Sequence, residues 1–140
     1  MTDARPYTYV LDRLKNAELR PTRQRLALAK LLLEEGDQHV TAEQLHCEAA
    51  DAGIKVSLAT VYNTLHQFTK AKLLREVVVE SGRAYFDTNT DAHYHIFHQD
   101  TGELCDIPDD AVSTLALPDL PAGTEIDRVD VIVRVKTKMQ

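Results

Sequence analysis

Apolar residues recur at helical spacing through the first half of the chain and alternate with polar ones through much of the second. Val10, Leu11 and Leu14 form a first short stripe. Pro21 and Thr22 then open a second helix, which carries Leu26, Ala29 and Leu33 inward and is expected to stop at Gly36. Thr41 with Gln44 three positions on is a capping box, and Ala42, Leu45, Ala49 and Ala52 follow at the spacing of one helix face before Gly53. Ser57 caps a fourth helix, SLATVYNTLHQFTKA, whose Leu58, Val61, Leu65 and Phe68 point inward. Its outward face carries Ala59, Tyr62, Asn63, His66, Gln67 and Lys70. LLREVVVE and RAYFDT are β-rich runs joined by Ser81-Gly82, the chemistry of a hairpin. Short helices followed by a hairpin predict a winged helix-turn-helix over residues 1–88.

From residue 89 alternation takes over. His93, His95 and Phe97 share one strand face, Asp100 to Gly102 supply a turn, and Glu103 to Ile107 return. Pro108, Pro118, Pro121 and Gly123 interrupt the pattern. DRVDVIVRVK then sets Val129, Val131, Val133 and Val135 on one face, the clearest half-buried strand in the sequence. Three short strands have little core of their own, so residues 89–140 are expected to pair with a second copy. The fold class is α+β: an N-terminal winged helix-turn-helix and a small C-terminal α/β dimerisation domain.

Length and composition leave this picture intact, for 140 residues with 44% hydrophobic and 27% charged side chains suit an ordinary globular chain. No apolar run approaches the roughly 18 residues of a membrane span. The opening MTDARPYTY lacks a basic n-region and an apolar h-region, so the expected compartment is the cytoplasm, with no membrane partner. Cys47 and Cys105 form no CxxC pair and no disulfide framework. The net charge of −6 argues against a polyanionic partner only if it is evenly spread, and it is not. Residues 1–33 carry seven basic against three acidic side chains, residues 34–88 five against nine, and residues 89–140 four against ten. The front of the chain is therefore basic.

Double-stranded DNA fits that front. A recognition helix needs hydrogen-bonding side chains near its N-terminus, where base edges are read, and Tyr62 and Asn63 stand there. Asn pairs bidentately with adenine, while Tyr reaches a phosphate or a thymine methyl. One polar helix face would be unremarkable alone, but the hairpin bearing Arg83 and the Arg20, Arg23, Arg25 cluster favour DNA. A second chemistry lies downstream. His93 and His95 aim two imidazoles to one side, Asp106 on the returning strand faces them if the register allows, and such donors suit divalent iron, manganese or zinc. Asp87 and His39, the latter in the loop before the capped helix, are further ligand types that spacing does not place. His46 and His98 have no evident partner, and His66 lies on the outward recognition face.

RPTRQR (20–25), SLATVYNTL (57–65), YFDT (85–88) and HYHIFHQDTGELCDI (93–107) together resemble the ferric uptake regulator superfamily, Fur, nearly end to end. The resemblance implies a dimer that regulates genes according to bound metal. It places one regulatory divalent ion per subunit on His39, Asp87, His93, His95 and Asp106, a three-His, two-Asp set similar to the peroxide-sensing branch. It places DNA contacts on Arg20, Ser57, Thr60, Tyr62 and Asn63, with Arg20 toward the minor groove, Tyr62 toward the major groove, and Asn63 where many members have Arg.

The chain also departs from the pattern. The family's structural zinc uses two CxxC pairs; the first would fall at His98 and Thr101 and the second is missing, so no four-cysteine zinc is expected. A second metal site would need ligands at Ala92, Tyr94 and Ser113. These losses resemble the iron response regulator subfamily, Irr, which binds DNA when iron is scarce and is relieved by haem taken in part at the histidines matching His93 and His95. The Cys-Pro haem motif of some members is absent, since Cys47 precedes Glu48 and Cys105 precedes Asp106. The expectation is thus a regulator of iron homeostasis and haem biosynthesis genes, with haem, a homodimer and higher oligomers as its further partners. The alternative is a peroxide-sensing or Fe/Mn-responsive repressor. A more distant one is a cupin-like metalloenzyme, suggested by the histidine pair followed by Asp100 but leaving the first two thirds of the chain unexplained.

Overall fold

The computed structural model describes residues 8–34, 36–80, 83–90, 94–107 and 118–139. Ala92, His93, Pro108, Ser113 and the Ser81-Gly82 turn lie outside them. The chain divides into two compact units, Met1–Thr90 and Asp91–Gln140.

The first unit contains α1 (Thr8–Asn16), α2 (Arg23–Leu33), β1 (His39–Val40), α3 (Ala42–Asp51), α4 (Leu58–Lys70), β2 (Arg75–Glu80) and β3 (Arg83–Asp87). Three helix starts follow the capping chemistry of the sequence. Thr22 Oγ1 accepts from Arg25 N, Ser57 Oγ accepts from Thr60 N, and Thr41 and Gln44 close a full capping box. The core is one cluster centred on Leu14, Leu28, Leu32, Leu45, Leu65, Phe68 and Phe86, each at most 1% exposed. Two inward assignments need correcting. Ala52 is exposed because α3 ends at Asp51, whereas Leu26 is partly buried and packs against the core beside the inner Leu28, Ala29, Leu32 and Leu33 of α2. Leu58 is 37% exposed, since the first turn of α4 projects beyond the core, and Thr64 takes an inward place instead. Helix α2 also ends at Leu33, ahead of Gly36. The sheet has the order β1-β3-β2 and all its pairs are antiparallel. Strand β1 corrects the reading of His39 as a loop residue.

The second unit contains β4 (Tyr94–His98), β5 (Leu104–Ile107) and β6 (Ile132–Val135), in the order β5-β4-β6. β4 and β5 form the expected hairpin, with Gly102 at φ +77°, a conformation glycine adopts without a Cβ clash. β6 runs parallel to β4 and is shorter than the alternation of residues 127–136 predicts. None of its residues is buried, and Val133 is 44% exposed. Alternation identified the apolar face, but within the described residues of the chain no layer covers it.

Candidate metal centre and DNA-reading face

Each unit holds a His-Asp pair, and backbone register creates both. In the first unit β1 pairs with β3 so that His39 lies opposite Asp87, with Arg75 opposite Asp87 on the other side. Asp87 is fully buried. Its Oδ2 lies 3.1 Å from His39 Nε2 and its Oδ1 accepts from Asn89 N at 2.9 Å. The two-residue strand is held by Gln38, whose N donates to Thr88 Oγ1 (2.8 Å) and whose Nε2 donates to the carbonyls of Leu31 and Leu32. In the second unit His95 pairs directly across from Asp106, Nε2 to Oδ1 at 3.4 Å. His95 is 3% exposed, while the Asp106 side chain is 37% exposed.

Adjacent ligands on a divalent first-row ion with bonds of about 2.1 Å stand about 3.0 Å apart at octahedral angles. Both His-Asp separations match that edge, and each pair joins a neutral nitrogen donor to an anionic oxygen donor. The residues therefore suit such an ion. His39, Asp87, His95 and Asp106 are among the described residues; His93 is not.

The DNA-facing residues lie on the exposed side of α4 and in the segment before α2. Tyr62, Asn63, His66, Gln67 and Lys70 are all exposed, as are Arg20 and Ser57, and Thr60 is half-buried. The Ser57 hydroxyl, beyond its cap, donates to Thr60 Oγ1 at 2.9 Å, so these two side chains order the helix start together. Arg25 acts as a strut rather than a free cation. Its Nη1 donates to the Arg20 carbonyl (2.8 Å) while Nε and Nη2 both donate to Gln67 Oε1 on α4 (3.2 and 2.9 Å). His66 meets Phe86 edge-on, with ring centroids 5.6 Å apart, and His46 Nε2 lies 3.1 Å from the Val56 carbonyl. The sequence reading missed Glu43, whose Oε1 accepts from the Tyr62 hydroxyl across α3 and α4 at 2.5 Å. That hydrogen bond, then slight desolvation and the carboxylate's charge, hold the Tyr62 phenol above its ordinary value. No local signal pairs residues nineteen positions apart; only the packing of the two helices does.

A sequence profile described as the ferric uptake regulator family matches residues 16–132. The chain belongs to that family. Similar to this Fur-family chain is the ferric uptake regulation protein of Vibrio cholerae, 35% identical over 100 residues, or 71% of this chain and 67% of that protein. The Escherichia coli K12 protein of the same name is 34% identical over 100 residues. Among solved structures, the Pseudomonas aeruginosa ferric uptake regulator with manganese superposes with a TM-score of 0.71 at 27% identity, covering 92% of this chain and 98% of that one. The Vibrio cholerae regulator gives 0.71 at 26%, covering 90% and 98%. The chain is a Fur-family, metal-responsive transcription regulator with an α+β fold. It is not an enzyme, and the cupin-like alternative falls: the described strands form two three-stranded sheets rather than a barrel. No helix among the described residues is long and apolar enough to cross a membrane.

Proposed function

We propose that the chain is an Irr-like regulator of iron homeostasis and haem biosynthesis genes, binding operator DNA through residues 1–88 and dimerising and sensing through residues 89–140. The observation that carries the metal part is the pair of His-Asp couples at ligand-edge spacing, one in each unit. In this reading one Fe2+, Mn2+ or Zn2+ is held by His39, Asp87, His93, His95 and Asp106. When bound, it supplies two positive charges that the two carboxylates balance. In this reading His39 and Asp87 would hold the ion from the sheet that follows the recognition helix, and His95 and Asp106 would hold it from the hairpin of the sensing unit. A ligand set shared in this way favours one disposition of the DNA-reading helices by differential affinity.

Operator contact rests on Arg20, Ser57, Thr60, Tyr62 and Asn63. Dimerisation is supported by the exposed Leu120, Ile126 and Val133 and by β6 standing at a sheet edge. The missing CxxC pairs support the Irr-like branch. Haem at His95 must first break its pairing with Asp106, so haem and metal compete for this histidine.

The test selects operators from a random DNA pool and measures their affinity against Fe2+, Mn2+, Zn2+ and haem. Metal is expected to tighten binding at least tenfold, and haem to reverse it with release of the ion. Affinity indifferent to every metal would overturn the metal-linked reading. Metal dependence without a haem effect, combined with peroxide oxidation of His39 or His93, would move the chain to the peroxide-sensing branch.

A further inference from the structure

The pleat of the β4–β5 hairpin gives it two chemically distinct faces. Successive side chains of a strand point to opposite sides, and residues directly across an antiparallel pair share a side. His95 and Asp106 pair on one side; Ile96 and Cys105 pair on the other. His98 falls on the same side as Ile96, and its N donates to the Glu103 carbonyl at 2.9 Å, which sets His98 and Glu103 across from each other. His98, Glu103 and Cys105 thus gather on the face turned away from His95 and Asp106. One ligand atom from each lies within 4.8 Å of the other two. Cys105 Sγ already donates to Glu103 Oε1 at 3.5 Å.

We propose that His98, Glu103 and Cys105 form a second cation site, selective for a borderline-soft divalent ion of the zinc class. Ligand atoms on a tetrahedral zinc are about 3.3–3.8 Å apart, so the cluster needs at most about 1.5 Å of closure, within reach of side-chain rotation. The donors are an imidazole nitrogen, a carboxylate oxygen and a thiolate sulfur, and sulfur separates this set from the nitrogen-and-oxygen donors of the opposite face. On binding, the S–H bond of Cys105 breaks, its proton goes to solvent, and the thiolate and carboxylate neutralise the two charges of the ion. Solvent fills the fourth position, since Glu103 is exposed and the other two residues are half-buried.

The backbone is suited to the task. Gly102 N donates to the His98 carbonyl at 2.8 Å and Glu103 N donates to Thr101 Oγ1 at 3.2 Å, so the turn is ordered before any ion arrives. Filling the site clamps the two strands at the turn end, and with them the register that sets His95 against Asp106. The site can fill without the proposed regulatory ion, because the two sets share no residue.

Cobalt(II) added to the full-length chain tests the site without any DNA assay. A thiolate-to-cobalt charge-transfer band with tetrahedral d–d absorption is expected, bleached by stoichiometric Zn2+. It should vanish in Cys105→Ser and weaken at least tenfold in apparent affinity in His98→Ala. It should persist in Cys47→Ala, which removes the other thiol, and in Asp87→Asn, which removes a ligand from the regulatory set. Circular dichroism verifies that each variant is folded. No band in the wild-type chain, a band surviving in folded Cys105→Ser, or loss of the band in folded Cys47→Ala would each overturn the proposal.

Discussion

Replacing Asp87 by asparagine separates the charge of a buried carboxylate from its shape. Asp87 is 0% exposed, accepts from Asn89 N at 2.9 Å and faces His39 Nε2 at 3.1 Å. Asparagine has nearly the same volume and keeps an oxygen for the Asn89 amide. The metal-free variant therefore loses the charge that strengthens the hydrogen bonds of this carboxylate, a cost of about 1.5–3 kcal/mol. The effect of metal is of similar size but of a different kind. An ion at a hundred times its Kd stabilises the folded state by about 2.7 kcal/mol. At about 2–4 °C per kcal/mol, the wild-type melting temperature should rise by roughly 5–11 °C on adding Mn2+ or Zn2+. Losing the anionic donor, if it weakens the Kd a hundredfold, leaves about 0.4 kcal/mol at the same ion concentration, a rise of roughly 1 °C. Thermal unfolding of both proteins, chelated and metal-loaded, reads the two effects separately. A variant that melts lower than wild type when chelated, yet gains the same increment from metal, would refute Asp87 as a ligand while leaving its structural role intact.

Tyr62→Ala with Asn63→Ala should abolish specific operator binding in gel-shift assays with unchanged circular dichroism, because both side chains are exposed. Glu43→Gln removes a negative charge beside Tyr62 and should tighten DNA binding about threefold at low salt, with the gain fading as salt rises. Thr41→Ala opens the capping box of α3 and should cost about 1 kcal/mol in urea unfolding. Asp100 Oδ2 accepts from Thr137 N at 2.6 Å, and this backbone hydrogen bond is the main cause that lowers the Asp100 carboxyl below its ordinary 3.8. Its contribution is complete above that value and disappears as pH falls through the lower folded one. The Thr137 amide resonance should therefore shift with acid in the wild-type chain and not in Asp100→Asn.

Much of the first unit is legible from sequence because its determinants are local. Thr22, Thr41 and Ser57 announce helix starts by side-chain chemistry within three residues, and Val61, Leu65 and Phe68 mark a buried stripe by spacing alone. β1 is not legible. Two residues carry no periodicity, and His39-Val40 becomes a strand only because β3 offers it a partner. The same long-range origin hides Glu43 from Tyr62 and Gln67 from Arg25. In the second unit the alternation of residues 127–136 is visible, but no residue of β6 is buried among the described residues, so alternation overstates how far the strand is covered. The His95–Asp106 pair required only a register, and the turn length between Phe97 and Leu104 supplies it.

The shortness of β1 has a consequence for how metal occupancy would be felt by the molecule. An edge strand of two residues, held by a few hydrogen bonds from Gln38, is the kind of segment that opens long before the core does. A proposed ligand on that strand would make occupancy a local folding equilibrium: with His39 engaged the edge would close, and on its release the edge would fray and take Val40 from its place opposite Phe86. Amide exchange at Val40 would then act as a gauge of the cellular ion supply, read from the backbone rather than from the metal.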